Sequence, residues 1–228
     1  MAPTLLRPAL LLLLSFNAGF VDTAGFLALQ GLFTAHVTGN FVTLGASLVL
    51  GTSGAVAKLL ALPIFCVVVI ATRLLSSALL RRKLPALEII LTVKLSLLIA
   101  GAVLAIHFGP FANGDAAPAV VTGMVLVAAM AIQNAAHRIH LGSAPPSTLM
   151  TGTTTQIMID LADMLRGPTV QADGGGQRLA RMSTNILAFA LGCAVAALLY
   201  ARFGVWCFVA PPILAIAALC VRAGTSDD

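Results

Sequence analysis

The sequence predicts an all-α integral membrane protein with six transmembrane helices and two short re-entrant or half-spanning helices. Three observations indicate this fold class. Of the 228 residues, 59% are hydrophobic and 9% are charged, whereas soluble domains average about 25% charged residues. The mean hydropathy is +1.02. The apolar residues also form long runs, which a water-soluble globule could not hide, because roughly 30% of the unfolded chain's surface stays exposed at this size.

Six apolar segments are long enough to cross the hydrocarbon core of a bilayer, which takes about 20 residues. The first follows Arg7 and resembles a signal peptide. It has no clean small-x-small cleavage site, so we expect an uncleaved first helix. Two shorter apolar segments, 37–50 and 149–165, open near Thr-Gly pairs. The six long segments cover residues 8–29, 55–80, 87–108, 119–139, 179–201 and 204–221.

The two Thr-Gly segments predict an internal repeat. Pairing Thr38-Gly39 with Thr151-Gly152 brings Asp22 opposite Asn134, to within one residue of gap. Each half then consists of a long helix, a polar patch, a Thr-Gly segment and two more long helices. We therefore expect one membrane domain, 1–228, built from two related halves of about 1–115 and 116–228.

The distribution of Lys and Arg favours re-entrant Thr-Gly segments over crossing ones. With re-entry, most basic residues share one face, and Lys58 and Arg202 lie opposite. Cytoplasmic loops are rich in Lys and Arg, so both termini are predicted to be cytoplasmic. Three spans per half would then give the halves opposite orientations, a recurring transporter plan. The predicted cytoplasmic residues are Arg7, Arg81, Arg82, Lys83, Arg138, Arg166, Arg178, Arg181 and Arg222, with Arg73 and Lys94 near that face.

Several classes of function are disfavoured by what the sequence lacks. There is no basic stripe, and with one Trp and one Tyr no aromatic stacking set, so nucleic-acid binding is not expected. G-x-S-x-G, HExxH, GxxxxGK[ST] and G-x-G-x-x-G are missing, which argues against an enzyme. The cysteines lie in apolar runs without CxxC spacing, so no metal or cofactor is expected. They are Cys66, Cys193, Cys207 and Cys220.

The stretch HVTGNFVTLG, residues 36–45, is unusually polar for this chain. A half-helix starting at Thr38 would leave free N–H groups and the positive end of its dipole inside the bundle. Thr38 could cap that end, Gly39 permits close approach, and Asn40 offers a donor and an acceptor. Such a helix start suits a polar or anionic solute, with Thr151 and Gly152 as its counterpart. The alternative is that Thr-Gly serves only tight helix packing.

Asp22 is the most informative single residue, because it lies well inside the first span. A carboxylate at mid-membrane costs roughly 2.5–3.5 kcal/mol on insertion scales and indicates function by default. It could bind a proton or cation, or hydrogen-bond a substrate. The structural alternative is that it pairs within the bundle, with His36 or the Thr-Gly helix start.

Other polar residues of the second half complete the candidate set. Gln133 and Asn134 are expected to face the bundle interior opposite Asp22. Asp160 and Asp163 lie one turn apart on the second short segment, where pairing with Arg166 or simple exposure is favoured over a cation site.

The segments NAGFVDTAGFLALQGLFTAHVTGNFVTLG and AMAIQNAAHRIHLGSAPPSTLMTG resemble the YoaK-like family of small bacterial inner-membrane proteins, a domain of unknown function. The resemblance extends over nearly the whole chain. It implies a six-span protein of the bacterial plasma membrane, and it supplies no substrate or site residues.

These patterns together predict a permease-like protein that moves a small polar or anionic solute, with Asp22 as the candidate group for proton coupling. Its solute ligands would be Thr38, Gly39, Asn40, Gln133, Asn134, Thr151 and Gly152. A passive channel or a non-transporting lipid-binding or assembly protein are the alternatives. One chain is small for enclosing a path, so a homodimer in the bilayer is the expected assembly.

Overall fold

The computed structural model describes residues 3–142, 144–148, 150–165 and 175–224, which form helices and connecting turns with no β-strand among them. The helices are α1 (Pro3–Ala28), α2 (Asn40–Leu50), α3 (Ala55–Arg81), α4 (Ala86–Phe108), α5 (Ala117–His140), α6 (Met150–Leu165), α7 (Gly175–Phe203) and α8 (Ala210–Ala223). Short 3-10 helices, Val37–Gly39 and Gly204–Val209, precede α2 and α8.

Five helical stretches within the described ranges are long and apolar enough to cross a membrane. They correspond to α1, α3, α4 and α5, and to a stretch from Gly175 to Ala223 that contains α7, the second 3-10 helix and α8. Large apolar side chains cover the outside of these helices; Leu74 and Leu198, for example, are more than 60% exposed. An apolar exterior of this kind fits a bilayer, so the predicted all-α membrane fold is confirmed.

Contacts at the helix ends define two faces of the bundle. At the first, here called the Asp115 face, the Asp115 carboxylate accepts hydrogen bonds from Gly54 N and Val56 N at 2.9 and 2.8 Å. The end of α1 lies there too, because Gln30 donates to the Phe111 carbonyl at 2.9 Å.

The opposite face, here called the Glu88 face, is defined by two contacts. Glu88 pairs with Arg222 at 2.8 Å, and Ser76 contacts His140 at 3.0 Å. Asn185, in the first half of α7, donates to Pro145 O at 3.2 Å in the turn that follows α5 at this face, and α8 ends at Arg222, so the start of α7 and the end of α8 both lie towards this face. The stretch from Gly175 to Ala223 therefore crosses the bundle twice, reversing at Gly204, whose φ of +56° suits glycine.

The segment between α1 and α3 re-enters the bundle. After α1 ends, the chain reverses at Gly31, with φ +83°, and runs back until residues 34–36 contact Asp22. Helix α2 then leads back to Gly51 and Gly54, beside Gln30 at the Asp115 face. Its 11 residues span only about 16 Å, too short to cross a bilayer.

The two halves of the chain pack across each other. Helix α1 lies along α7 and α8, whereas α5 lies along α3 and α4. The α1–α7 crossing is very close, because a Cβ on Gly19 would lie 2.1 Å from the Phe189 carbonyl oxygen, and one on Gly192 would lie 2.1 Å from the Phe16 oxygen. Small residues at such crossings let membrane helices approach each other.

Candidate functional site

The Asp22 carboxylate holds the first re-entrant segment in place. Asp22 is only 4% exposed. Its Oδ1 accepts hydrogen bonds from Thr34 N and Ala35 N, both at 2.7 Å, and its Oδ2 lies 2.7 Å from His36 Nδ1. Non-helical backbone inside a bundle must have its N–H groups satisfied by the protein. Asp22 therefore pairs within the bundle, as the structural alternative held, and its partner His36 also lines a cavity.

Asn40 closes the same segment. Its Oδ1 accepts from Phe33 N at 2.9 Å and its Nδ2 donates to Phe33 O at 2.8 Å, with 2% of the residue exposed. Both amide groups are thus used within the chain. The helical stretch starts at Val37, within one residue of the predicted start at Thr38; its first turn, Val37–Gly39, is a 3-10 helix and α2 follows directly from Asn40.

The predicted cap by Thr38 is wrong. Neither the 3-10 turn nor α2 has a side-chain hydrogen bond at its N-terminus. The reason is that Asn40 and Asp22 already fix the segment at Phe33 and at residues 34–36, leaving the Thr38 side chain no structural task at the helix start. Gly39 lies against the Phe33 ring, where an added Cβ would approach within 3.0 Å.

A cavity of about 350 Å³ opens beside the Asp22–His36 pair, between α1, the re-entrant segment and α7. Its wall is mostly apolar and contains three phenyl rings. Thr38, Gly39 and Asn40 are not part of that wall. The lining residues are Asp22, Thr23, Phe26, Leu27, Phe33, His36, Phe189 and Cys193.

His36 is the polar group that the cavity leaves available. Its side chain is 34% exposed, and its ring meets Phe189 edge-on with centroids 5.3 Å apart. Nδ1 is engaged by Asp22, whereas Nε2 has no hydrogen-bond partner among the described residues. The hydrogen bond to Asp22 raises the pKa of His36 above its usual value, although burial acts in the opposite direction.

The second polar network lies between α5, α4 and the turn before α6. Thr148 donates to Asn134 Oδ1 at 2.5 Å, and Gln133 donates to Leu14 O at 2.9 Å and to Ser147 Oγ at 3.2 Å. Gln133 Oε1 in turn accepts from Lys94 Nζ. Gln133 and Asn134 thus face the interior, where they hold the turn rather than line the cavity.

Lys94 is more deeply buried than its predicted position near one face implies. It is 1% exposed and, within the described part of the chain, forms no ion pair. Burial of an ammonium group with one neutral partner is costly. Its position in the run LTVKLSLL could have drawn attention, but the sequence does not show that Gln133 is 39 residues away and in contact.

Thr151 and Gly152 lie apart from this network, at the exposed start of α6. No atom lies within 4 Å of a Cβ built on Gly152. Thr151 lines a different, surface cavity of about 650 Å³, whose wall comes from α6. Neither cavity contains residues of both Thr-Gly segments.

Of the two remaining candidates, Asp160 forms an ion pair and Asp163 is exposed. Asp160 contacts Arg178 at 3.2 Å and accepts from Gln156 at 2.7 Å. Arg166, the predicted partner, lies outside the described residues.

The protein is an all-α, multi-pass membrane protein, as its long helices, its apolar exterior and the polar segments inside the bundle indicate. Residues 10–221 match the family model described as "protein of unknown function (DUF1275)", and the chain belongs to this family. The family is a domain of unknown function over nearly the whole chain, as the resemblance implied. No curated protein and no solved structure shows significant similarity to the chain.

Proposed function

We propose that the protein is a permease-like carrier for a small polar or anionic solute, and that the cavity beside Asp22 and His36 is its solute site. The observation that carries the proposal is a titratable histidine, fixed by a buried carboxylate, in the wall of a cavity between the helices of a membrane bundle. Ionisable groups at such depth are expensive and are retained where solutes or protons pass.

The pattern of helix packing supports a carrier built from two related halves. Matching α1–α4 with α5–α8 makes the α1–α7 contact equivalent to the α5–α3 contact, and α1–α8 equivalent to α5–α4. The short helices follow the same rule, because α2 packs on α3 and α6 packs on α7. Since α5 starts at the face where α1 ends, the halves run in opposite directions.

Individual side-chain contacts support the same correspondence. Asp22 contacts His36, and Asn134 contacts Thr148, each across 14 residues. In addition, Lys58 donates to Ser47 at 2.6 Å, and its counterpart Arg178 pairs with Asp160. Inverted halves with broken helices are the plan of many secondary transporters, in which alternating access comes from movement of one half against the other.

Uptake into proteoliposomes tests the proposal, with Asp22→Asn as the informative variant. Asparagine keeps an oxygen for Thr34 N and Ala35 N but removes the charge that pairs with His36. We expect proton-gradient-driven solute uptake to be abolished while the protein stays folded in membranes. Thr148→Val is the matched control, because it alters the equivalent contact outside the cavity. Unchanged transport by Asp22→Asn would remove Asp22 from the mechanism, and flux insensitive to a proton gradient would favour a passive channel.

One observation favours a lipid-binding protein as the second candidate. Phe26 and Leu27, in the cavity wall, are 37% and 41% exposed, so an acyl chain could reach the cavity from the side. Lipid that stays bound through purification and is lost in Phe26→Ala, together with no solute flux, would support this alternative.

We also propose that the Glu88 face and both termini are cytoplasmic and that the protein is a bacterial plasma-membrane homodimer without catalytic activity. The Asp115 face has few basic residues, including Lys58 and Arg202, whereas the Glu88 face has many, as cytoplasmic loops do. Thiol labelling of single cysteines placed at Arg82 and Asn113 from either side of the membrane tests the orientation. The basic residues at the Glu88 face include Arg81, Arg82, Lys83, Arg138, Arg178, Arg181 and Arg222.

A further inference from the structure

We infer that the cavity selects a small organic carboxylate with an apolar, preferably aromatic, body, and that it binds this anion together with one proton held on His36. The inference rests on the proposed function, because it names the substrate class of the same site.

The shape and chemistry of the wall select the body of the ligand. Phe26 and Phe33 are tilted against each other with ring centroids 4.9 Å apart, and Phe189 lies across the cavity, edge-on to His36. About 350 Å³ is at the small end of ligand sites, enough for one ring and a short substituent. A small inorganic ion would have to lose its hydration against phenyl rings, which is unfavourable.

The hydrogen-bonding groups select the charge of the ligand. Both Asp22 oxygens already accept hydrogen bonds from the chain, so the carboxylate has little left to offer a cationic ligand. His36 Nδ1 faces Asp22, which leaves Nε2 for the ligand. A protonated imidazole donates from Nε2, whereas the neutral ring with its proton on Nδ1 can only accept there. A carboxylate therefore needs the protonated form.

Charge balance links the proton to the anion. With His36 protonated, the Asp22–His36 pair is neutral, and the bound carboxylate brings the only net charge. With His36 neutral, a ligand carboxylate would face both a lone pair and the Asp22 charge. Among the residues that the structure describes, the other titratable group lining this cavity is Cys193, from α7. Lys58 lies farther along, near Gly31 and Ser47. Proton and anion therefore enter and leave the site together.

Calorimetric titration of the purified protein in nanodiscs tests the inference, with benzoate, acetate, benzyl alcohol and benzylammonium as probes. We expect benzoate to bind at least tenfold more tightly than the other three. Its affinity should fall towards tenfold per pH unit above the pKa of His36. The titration is repeated in buffers of different ionisation enthalpy, which gives the number of protons that the protein takes up with each benzoate. This number should approach one above the pKa of His36. Preference for benzylammonium, or benzoate affinity independent of pH, overturns the inference.

Variants assign these properties to residues. His36→Gln should remove proton uptake on binding, and Phe189→Leu should weaken benzoate binding about tenfold while leaving the proton count unchanged. Thr148→Val, in the second network, should change neither. If His36→Gln does not fold, Phe189→Leu still decides, because unchanged affinity in that variant rejects the cavity as the site.

The same experiment separates the two proposals. Benzoate binding with the predicted proton count but no uptake into proteoliposomes keeps the ligand class and rejects the carrier. Uptake of a different solute class with no benzoate binding keeps the carrier and rejects the ligand class.

Discussion

The segment before α2, here called the first region, and the turn before α6, the second region, each place non-helical backbone inside the bundle, and different side chains hold them there. In each, the chain folds back along the helix it has just left, and a residue of that helix contacts a residue 14 positions later. In the first region the helix supplies a carboxylate, Asp22, and the segment supplies a histidine. In the second both partners, Asn134 and Thr148, are neutral. Only the first contact lies beside the Phe-lined cavity.

The fold needs side chains that hold each turn, whereas the proposed function also needs a proton-binding group in the cavity wall. The second turn is held without a carboxylate, by the Asn134–Thr148 contact together with Gln133 at Ser147 and His137 at the Ala144 carbonyl. The Asp22–His36 pair exceeds that requirement, because it places a proton-binding ring in a cavity wall. Two ionisable side chains contact the second region, His137 at the Ala144 carbonyl and Lys94, which reaches Gln133 from α4, and both are buried.

The largest loss of unfolding free energy is expected when the side chains that hold the two turns, Asp22 and Asn134, are removed. The loss should be larger for Asp22 than for Asn134. Asp22→Ala leaves the N–H groups of Thr34 and Ala35 without an acceptor, so we expect a loss of about 2–6 kcal/mol in unfolding free energy. Asn134→Ala breaks one hydroxyl contact and should cost about 1 kcal/mol. Unfolding in mixed detergent measures both losses, and equal losses would show that Asp22 does not anchor its turn more strongly than Asn134 does.

A smaller loss is expected when the Lys94 ammonium loses its partner. Gln133→Leu should reduce the unfolding free energy by about 2–3 kcal/mol, because hydrogen bonds to buried charged groups are worth about that much. Lys94→Met alone removes the charge but leaves the buried Gln133 Oε1 without its donor, so it should cost about 1–3 kcal/mol by itself. The double variant should be more stable than Gln133→Leu, and failure of Lys94→Met to rescue it would show that the Leu14 and Ser147 contacts dominate.

The smallest effect should be a dependence of the folding stability on pH, which arises from His36 in the first region. The folded-state pKa of His36 is raised by its hydrogen bond to Asp22. Its stabilisation is therefore full below the unfolded-state pKa of about 6.5 and is lost as pH rises through the folded-state value. Because the ring is one-third exposed, solvent screening keeps the effect small. Thermal unfolding from pH 5 to 9 should show this decline in the wild type and a flatter curve in His36→Gln.

Much of the fold follows from the sequence because long apolar runs specify membrane helices. The segments expected at 55–80, 87–108 and 119–139 differ from α3, α4 and α5 by at most two residues at any end. The last span begins as a 3-10 helix at Gly204–Val209, which hydropathy does not distinguish from an α-helix.

The site was less predictable, because its walls come from distant parts of the chain. Asp22 stood out as a charge in an apolar run, and the segment around Asn40 stood out as polar. Phe189 and Cys193, by contrast, reach the cavity only because α7 crosses α1, and nothing in their local sequence marks them. A helix-cap pattern predicts that Thr38 caps the helix, but it cannot reveal that Asn40 forms hydrogen bonds with the Phe33 backbone instead.

The glycine crossing of α1 and α7 has a mechanical consequence. Gly19 and Gly192 let the two backbones touch with no side chain between them, and Phe189 and Cys193 lie on α7 at the same crossing. Because the Phe189 carbonyl is itself the contact point with Gly19, a change in the crossing angle would move the ends of α7 far more than it would move Phe189. The crossing therefore holds the cavity wall that α7 supplies at a fixed distance from the wall that α1 supplies.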